Sequence, residues 1–195
     1  MTDPIDPRRA ALLVMDYQNA IVGMLDEPDD LLARAAEAIA LVRARGGHVG
    51  YIRVAFTDED FGAIPPTSGM GARMSTARGA FHDDAPTTAI HERVAPKNGD
   101  IIVRKTRVGA FSTTDLDARL REHDIDTLIL AGISTSGVVL STVRDASDRD
   151  YRVLVLSDAT ADREADVHSF LIERIFPRQA EVITTAQLAD LLSAS

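Results

Sequence analysis

Residues 127–142 read TLILAGISTSGVVLST, and this stretch decides the fold class of the chain. Its opening residues, 127–131, are nearly all apolar, which is typical of a strand buried on both faces of a parallel sheet. The Gly, Ser and Thr residues of 132–137 predict a turn. A helical pattern follows from Val138 to about Ser147. A strand that passes through a turn into a helix is the repeating unit of an α/β protein.

The same alternation of strand and helix runs along the rest of the chain. Strands are predicted at 11–15, 49–55, 100–104, 127–131, 152–156 and 181–184. Helices are predicted at 29–45, 115–121, 138–147, 164–175 and 186–192. Such alternation predicts right-handed crossovers and a parallel sheet covered by helices on both faces. We expect one α/β domain over residues 1–195, because 195 residues is an ordinary length for one domain.

Residues 56–99 are the least regular part of the sequence. The dipeptide Pro65-Pro66 and the glycines Gly69, Gly71 and Gly79 interrupt any periodic pattern there. Connections of this length inside a compact domain usually serve a function. The segment is therefore predicted to be a long functional loop that contains short helical pieces.

The composition limits the class of partner. The net charge is −9, which argues against the basic face that nucleic-acid binding requires. No run approaches the roughly 18 consecutive apolar residues of a membrane span, and residues 1–7 lack the pattern of a signal peptide. We expect a cytoplasmic protein whose partner is a small molecule. The chain has no cysteine, which excludes disulfides and thiolate metal sites.

Unusual residues stand at the ends of three predicted strands. Asp16 ends the first, Lys105 follows the third, and the turn at 132–137 follows the fourth. The carboxyl ends of parallel strands meet at one edge of a sheet, so these groups could converge there. Taken singly, each has an ordinary explanation: Asp16 as a loop carboxylate, Lys105 as a surface lysine, and the turn as a helix cap. Backbone N–H groups at such a turn can also bind an anion or stabilise an oxyanion.

Together these segments resemble the isochorismatase-like hydrolase family, also called the cysteine hydrolase family. The matching segments are LVMDYQN at 13–19, KTRVGAF at 105–111, and AGISTSG at 131–137 followed by a long helix. The resemblance extends over about residues 11–192. It implies a three-layer α/β/α sandwich around a six-stranded parallel sheet, Rossmann-like in form. It also implies a homodimer or homotetramer.

The resemblance also implies roles for individual residues. Asp16 would be the general acid or base, and Lys105 would hold its charge and orient the substrate. In relatives the peptide bond before the position of Ser134 is cis. There it directs the N–H groups at the positions of Ser134 and Val138 toward an oxyanion.

Val138 departs from the family pattern, because relatives carry the nucleophilic cysteine at that position. Thioester chemistry on amides needs a thiolate, which a valine side chain cannot supply. The hydroxyls of Ser134, Thr135, Ser136 and Ser141 could replace it, although turn and cap roles explain them better.

The sequence predicts no metal and no cofactor. Nicotinamidases, a branch of the same family, carry an Asp/His metal cluster just after the second strand. This chain reads RVAFTD at 53–58, without a histidine. The five histidines lack the close spacing of a metal-binding pair.

The isochorismatase branch resembles this chain in lacking the cysteine while retaining Asp and Lys. Its members hydrolyse a vinyl ether, in which Asp protonates the enol carbon and water attacks the resulting oxocarbenium ion. We therefore expect a hydrolase that acts on an enol ether, or a related small carboxylated anion, through Asp16. Two alternatives remain open. One is a family member that has lost hydrolysis and binds a small molecule or a protein. The other is an amide or ester hydrolase that uses water or a hydroxyl.

Six residues are predicted to bind substrate. Arg53 and Arg107 are candidates for gripping a carboxylate through two hydrogen bonds, although surface or ion-pair roles are equally ordinary for arginine. Phe56 and Phe111, together with Phe61 and Phe81, are candidates for an apolar wall, although core packing is as good an explanation. The predicted substrate-binding set is Gln18, Arg53, Phe56, Arg107, Phe111 and Thr135.

Overall fold

The computed structural model describes residues 3–193 and contains a six-stranded parallel sheet. The strands are β1 (Ala10–Met15), β2 (His48–Val54), β3 (Ile101–Lys105), β4 (Thr127–Ile133), β5 (Arg152–Ala161) and β6 (Glu181–Ile183). Their order across the sheet is β3-β2-β1-β4-β5-β6, and every neighbouring pair is parallel. The predicted fold class is confirmed. The predicted single domain includes residues 1, 2, 194 and 195, which lie outside the described residues.

Eight α-helices surround the sheet in the described part of the chain. They are α1 (Asn19–Val22), α2 (Asp29–Ala44), α3 (Asp58–Ala63), α4 (Gly69–Ala77), α5 (Leu116–Glu122), α6 (Leu140–Asp148), α7 (Ala165–Phe170) and α8 (Thr185–Ser193). Helices α2 and α8 pack on one face, and α5 and α6 pack on the other. Within residues 3–193, no helix is both long enough and apolar enough to cross a bilayer.

Strand β1 shows why the sheet needs helices on both faces. Successive side chains of a strand point to opposite faces. Leu12 and Val14 accordingly pack into the core under α2, whereas Leu13 and Met15 pack into the core under α5 and α6. All six residues of β1 are buried. A continuous apolar run is therefore the expected sequence for this strand.

The strand order reverses at β1. The chain proceeds from β1 to β2 and β3 on one side, and to β4, β5 and β6 on the other. In doubly wound sheets the crevice at such a reversal, beyond the carboxyl ends of the strands, is the usual place for a ligand. Asp16 follows β1 immediately at this reversal, and Ser134 follows β4.

Three elements differ from the sequence prediction in helix type or by more than two residues. The helix predicted to start at Val138 begins as an α-helix at Leu140, because residues Thr135–Val139 form a π-helical turn. The predicted helix 164–175 also changes to a π-helical turn, at Leu171–Ile175. Strand β5 continues to Ala161 instead of ending at 156, after a register shift against β4. The two π-helical turns widen their helices locally, and the spacing of apolar residues in the sequence does not predict such turns.

The segment 56–99 is a long connection with short helical pieces, as predicted. It contains α3 and α4, followed by 3-10 turns at Arg78–Phe81, Pro86–Thr88 and Glu92–Val94. The side chains of Phe56 and Ile64 form a small apolar cluster with Val54 of β2 and with other apolar residues of this segment. Residues 56–99 thus pack beside the carboxyl edge of the sheet, and we call them the cover segment.

Gly132 provides a test of the close packing between β4 and the helix that follows it. A Cβ atom there would lie 2.8 Å from Cγ2 of Val139 and 3.3 Å from Cβ of Met15. Val139 is β-branched and buried, so its methyl group has little freedom to move away. We expect Gly132→Ala to lower the free energy of unfolding by about 1–3 kcal/mol, measured by urea denaturation.

The matched control is Gly62→Ala, in α3, where a Cβ would meet no atom within 4 Å. That variant should be as stable as the wild type, or up to about 1 kcal/mol more stable, because alanine favours a helix over glycine. Equal midpoints for the two alanine variants would contradict the packing described here.

Candidate active site

Asp16 turns the chain sharply at the end of β1. Its φ angle is +60°, a left-handed conformation that Asp adopts more readily than most residues. Its backbone N–H donates to the carbonyl oxygen of Ile52 at 2.8 Å, which holds the turn against β2. The side chain is buried, with the residue 6% exposed.

Lys105 reaches Asp16 from the end of β3, across the end of β2. Its ammonium group donates to Oδ2 of Asp16 at 2.8 Å and to the carbonyl oxygen of Val108 at 2.8 Å. Lys105 is only 2% exposed, so both partners of this ion pair are removed from bulk water. An ammonium group has three hydrogens, and these two bonds leave one for a ligand.

The second carboxyl oxygen of Asp16 has a different environment. Oδ1 is buried and accepts no hydrogen bond from the described residues. Burial raises the pKa of the Asp16 carboxyl, and the charge and hydrogen bond of Lys105 oppose the rise without cancelling it. A carboxyl group with a raised pKa and an unpartnered oxygen is suited to donate a proton from that oxygen.

The turn after β4 has the backbone geometry that the resemblance implies. The peptide bond between Ile133 and Ser134 is cis. Gly137 packs closely on Ser134 in this turn, since a Cβ at Gly137 would lie 2.6 Å from Oγ of Ser134. Val138, at the position of the nucleophile in relatives, is 2% exposed and packs in the core under α5 and α6.

The same turn is held from outside by residues that follow β5. The backbone N–H and hydroxyl of Ser136 donate to Oδ2 of Asp162 at 2.8 and 2.7 Å. The buried hydroxyl of Thr135 lies 2.7 Å from Nδ1 of His168. Burial lowers the pKa of His168, although Asp162 opposes this, and a lowered pKa favours the neutral ring. Which of the two groups donates the proton of this hydrogen bond depends on the tautomer of the ring. Neither Asp162 nor His168 was predicted, since nothing in their spacing links them to this turn.

A cavity of about 410 Å³ opens beside Asp16. Its polar lining comes from Asp16, Lys105, Ser134, Gly137, Arg73, Arg107 and Arg163. Its apolar lining comes from Ile21, Met24, Leu25, Val54, Met70, Met74, Phe81, Val108, Ile133 and Val138. Asp16, Lys105, Ser134 and Val138, which the sequence placed in one site, are therefore brought together around one space.

The predicted substrate-binding residues are placed less uniformly. Arg107 lines the cavity. Gln18 does not, because its amide is bonded to both the N–H and the carbonyl of Val54 and also to the carbonyl of Thr88. Arg53 forms an ion pair with Asp83, outside the cavity.

The remaining three predicted substrate-binding residues, Phe56, Phe111 and Thr135, have structural partners away from the cavity. Phe56 is fully buried and stacks on Phe61 in the cover segment. Phe111 stacks on Tyr151, with Arg149 over its ring. Thr135 is committed to His168, as described above. Of the four phenylalanines considered for an apolar wall, Phe81 contributes to the cavity lining.

No sequence pattern predicted several of the residues that line the cavity. Arg73 lies on α4 and Arg163 follows β5, and both reach the cavity only through the tertiary fold. Within residues 3–193, no group of three or more His, Cys, Asp or Glu side chains is arranged to hold a metal ion.

Comparison with known proteins agrees with this geometry. The family model described as "Isochorismatase domain" matches residues 10–187. The phenazine biosynthesis protein PhzD of Pseudomonas fluorescens is 33% identical over 193 residues, covering 94% of this chain and 86% of that protein. The maleamate amidohydrolase of Pseudomonas putida is 28% identical over 182 residues, covering 91% and 84%. The crystal structure of a cysteine hydrolase from Pseudomonas syringae pv. phaseolicola is 28% identical, with a TM-score of 0.90 over 99% of this chain and 96% of that one.

The buried ion pair predicts a pH-dependent effect of Lys105→Met on stability. The variant removes the cation that opposes the rise in the pKa of Asp16, so that pKa should rise further. A folded-state pKa above the unfolded value of about 3.9 makes the folded protein lose stability as pH rises through the folded pKa. The loss caused by Lys105→Met should therefore be larger at pH 8 than at pH 5, reaching a few kcal/mol.

The control is the double variant Asp16→Asn/Lys105→Met, which has no ionisable group at either position. The difference in unfolding free energy between the single and the double variant should widen from pH 5 to pH 8, measured by urea denaturation. A difference that stays constant over that range would show that Asp16 does not carry the effect.

Proposed function

The chain belongs to the isochorismatase family of hydrolases. From this we propose that it cleaves an enol ether, or a related small carboxylated compound, by general acid catalysis from Asp16. One observation carries the proposal. Asp16 is buried at the cavity, with Oδ2 on Lys105 and Oδ1 unpartnered, beside a valine where relatives have a nucleophile. The acid is thus retained in a site that has no thiol.

The first step uses the proton on Oδ1 of Asp16. The proton adds to the terminal carbon of the enol ether, and the C=C electron pair forms the new C–H bond. The ether oxygen stabilises the positive charge on the adjacent carbon as an oxocarbenium ion. Lys105 stays within 2.8 Å of Oδ2 and stabilises the carboxylate that Asp16 becomes.

Water completes the reaction. It adds to the oxocarbenium carbon and gives a hemiketal, whose proton returns to Asp16. The hemiketal then collapses: its hydroxyl loses a proton, the bond between that carbon and the ether oxygen breaks, and the ether oxygen gains a proton as it leaves. The products are a ketone and an alcohol, and the alcohol keeps the original ether oxygen. Val138 takes no part in bond making, because its side chain has no nucleophilic atom.

The turn and the arginines bind the substrate in this proposal. Backbone N–H groups at the positions of Ser134 and Val138 are donors for an anionic oxygen. Arg107 lines the cavity, and its side-chain hydrogen bonds go to Thr106, its neighbour in the chain. Its guanidinium group is therefore available for a carboxylate.

Binding without hydrolysis is the second candidate, and Val138 is the observation that favours it. The side chain is 2% exposed and occupies the position that a nucleophile would use. Turnover separates the two candidates, because a binding protein would hold the same ligand without converting it.

The test uses isochorismate as a carboxylated enol ether, with pyruvate release followed by coupling to lactate dehydrogenase. We expect release by the wild type and a loss of at least ~100-fold in Asp16→Asn, the usual size of a general acid contribution. The control is Asp30→Asn, an exposed carboxylate on α2 outside the cavity, which should keep full activity. In the wild type, kcat/KM should fall as pH rises through the raised pKa of Asp16, because the active form is protonated.

Labelled water tests which bond breaks. In H₂¹⁸O the alcohol product should contain no ¹⁸O by mass spectrometry, because water attacks the enol-ether carbon. Unchanged turnover in Asp16→Asn, or ¹⁸O in the alcohol, would contradict the mechanism. Tight binding of isochorismate without conversion would favour the binding protein instead.

A further inference from the structure

Two of the four strongly exposed large apolar side chains of the described chain lie at the cavity. In the described part of the chain, the large apolar side chains that are strongly exposed are Met24, Ile102, Val108 and Phe170. Met24, at 50% exposure, and Val108, at 38%, both line the cavity. Apolar surface left open beside a site marks a place where a ligand covers it.

Methionine side chains form part of the apolar lining of the cavity. Met24, Met70 and Met74 line the cavity and are three of the five methionines in the chain. Met70 and Met74 are four residues apart on α4, so they occupy one face of that helix. Met24 comes from the connection after α1, a separate segment. Unbranched, polarizable methionines adapt to the shape of an apolar ligand. We call Met24, Met70, Met74 and Phe81 the methionine wall.

Positive charge accompanies the methionine wall. Arg73, Arg107 and Arg163 line the cavity from three separate segments. None of the three forms an ion pair with a described carboxylate, in contrast to arginines such as Arg43 and Arg104. Guanidinium groups that line a cavity and have no carboxylate partner are suited to bind an anionic ligand there.

We infer that the cavity selects an amphiphilic carboxylate, whose anionic group meets the arginines while an alkyl or aryl body about the size of one ring lies on the methionine wall. The volume of about 410 Å³ is within the usual range for small-molecule sites, about 300–1,000 Å³. The inference uses the cavity of the proposed function, and it narrows the substrate class from small carboxylated compounds to those with an apolar body.

Three matched probes test the inference by isothermal titration calorimetry, without any need for turnover. They are 3-phenylpropionate, propionate and 3-phenylpropionamide. The first has both the charge and the ring, the second lacks the ring, and the third lacks the charge. We expect 3-phenylpropionate to bind at least ~10-fold more tightly than either of the others, because burying a ring and pairing a carboxylate each contribute.

Variants assign each contribution to its residues. Met70→Gln/Met74→Gln should weaken 3-phenylpropionate at least ~5-fold and leave propionate unchanged, because it removes apolar contact at nearly constant volume. Arg107→Gln should reduce the preference for the acid over the amide. Phe170→Gln is the control: this side chain is 57% exposed and lies outside the cavity, so both affinities should stay the same. Unchanged melting temperatures show that each variant is folded.

Equal affinities for propionate and 3-phenylpropionate would overturn the inference, as would no detectable binding of any probe. Retained affinity for 3-phenylpropionate in the double methionine variant would also overturn it. The proposed function fails separately. If the predicted probe preference holds but enol ethers are bound without conversion, only the proposed hydrolysis is contradicted. If enol ethers are hydrolysed without a preference for an apolar body, only this inference is contradicted.

Discussion

The burial of Asp16 against Lys105 is the constraint on which the rest of the site depends. A carboxyl group out of water is costly to ionise, and an ammonium group out of water needs acceptors. The ammonium group of Lys105 donates hydrogen bonds to Oδ2 of Asp16 and to the carbonyl oxygen of Val108, each at 2.8 Å. It leaves Oδ1 of Asp16 without a partner among the described residues. Because the two residues end strands that are separated by β2, the pair forms only when the parallel sheet is assembled.

The turn after β4 supplies the other half of the site, and its rigidity comes from outside the cavity. Asp162 holds Ser136, and His168 holds Thr135, both from the segment that follows β5. The hydroxyls that were candidates to replace the missing nucleophile include these two. Each is already committed to a hydrogen bond that shapes the turn. This arrangement agrees with a reaction that uses water rather than a covalent intermediate, because an acid at Asp16 needs no second reactive side chain.

The sequence predicted the fold and the convergence of the central residues for a simple geometric reason. Asp16, Lys105 and the 132–137 turn each follow a strand, and parallel strands end at the same edge. The binding residues were harder to predict, because their roles depend on partners distant in the chain. The side-chain amide of Gln18 donates hydrogen bonds to the carbonyls of Val54 on β2 and Thr88 in the cover segment, so it is not free to bind a substrate. Arg163 reaches the cavity because β5 runs on to Ala161, and no local pattern indicates that extension.

Asp16 acts as a proton donor in the proposed reaction only if its carboxyl group stays protonated despite its hydrogen bond to Lys105. The most direct measurement is the titration of its carboxyl carbon by ¹³C NMR in protein labelled at aspartate, with the resonance assigned by its absence in Asp16→Asn. We expect a midpoint above the ordinary value of about 3.9 for Asp16, and a still higher midpoint in Lys105→Met. A midpoint at or below about 3.9 in the wild type would mean that Lys105 keeps Asp16 ionised, and general acid catalysis from this carboxyl would be contradicted.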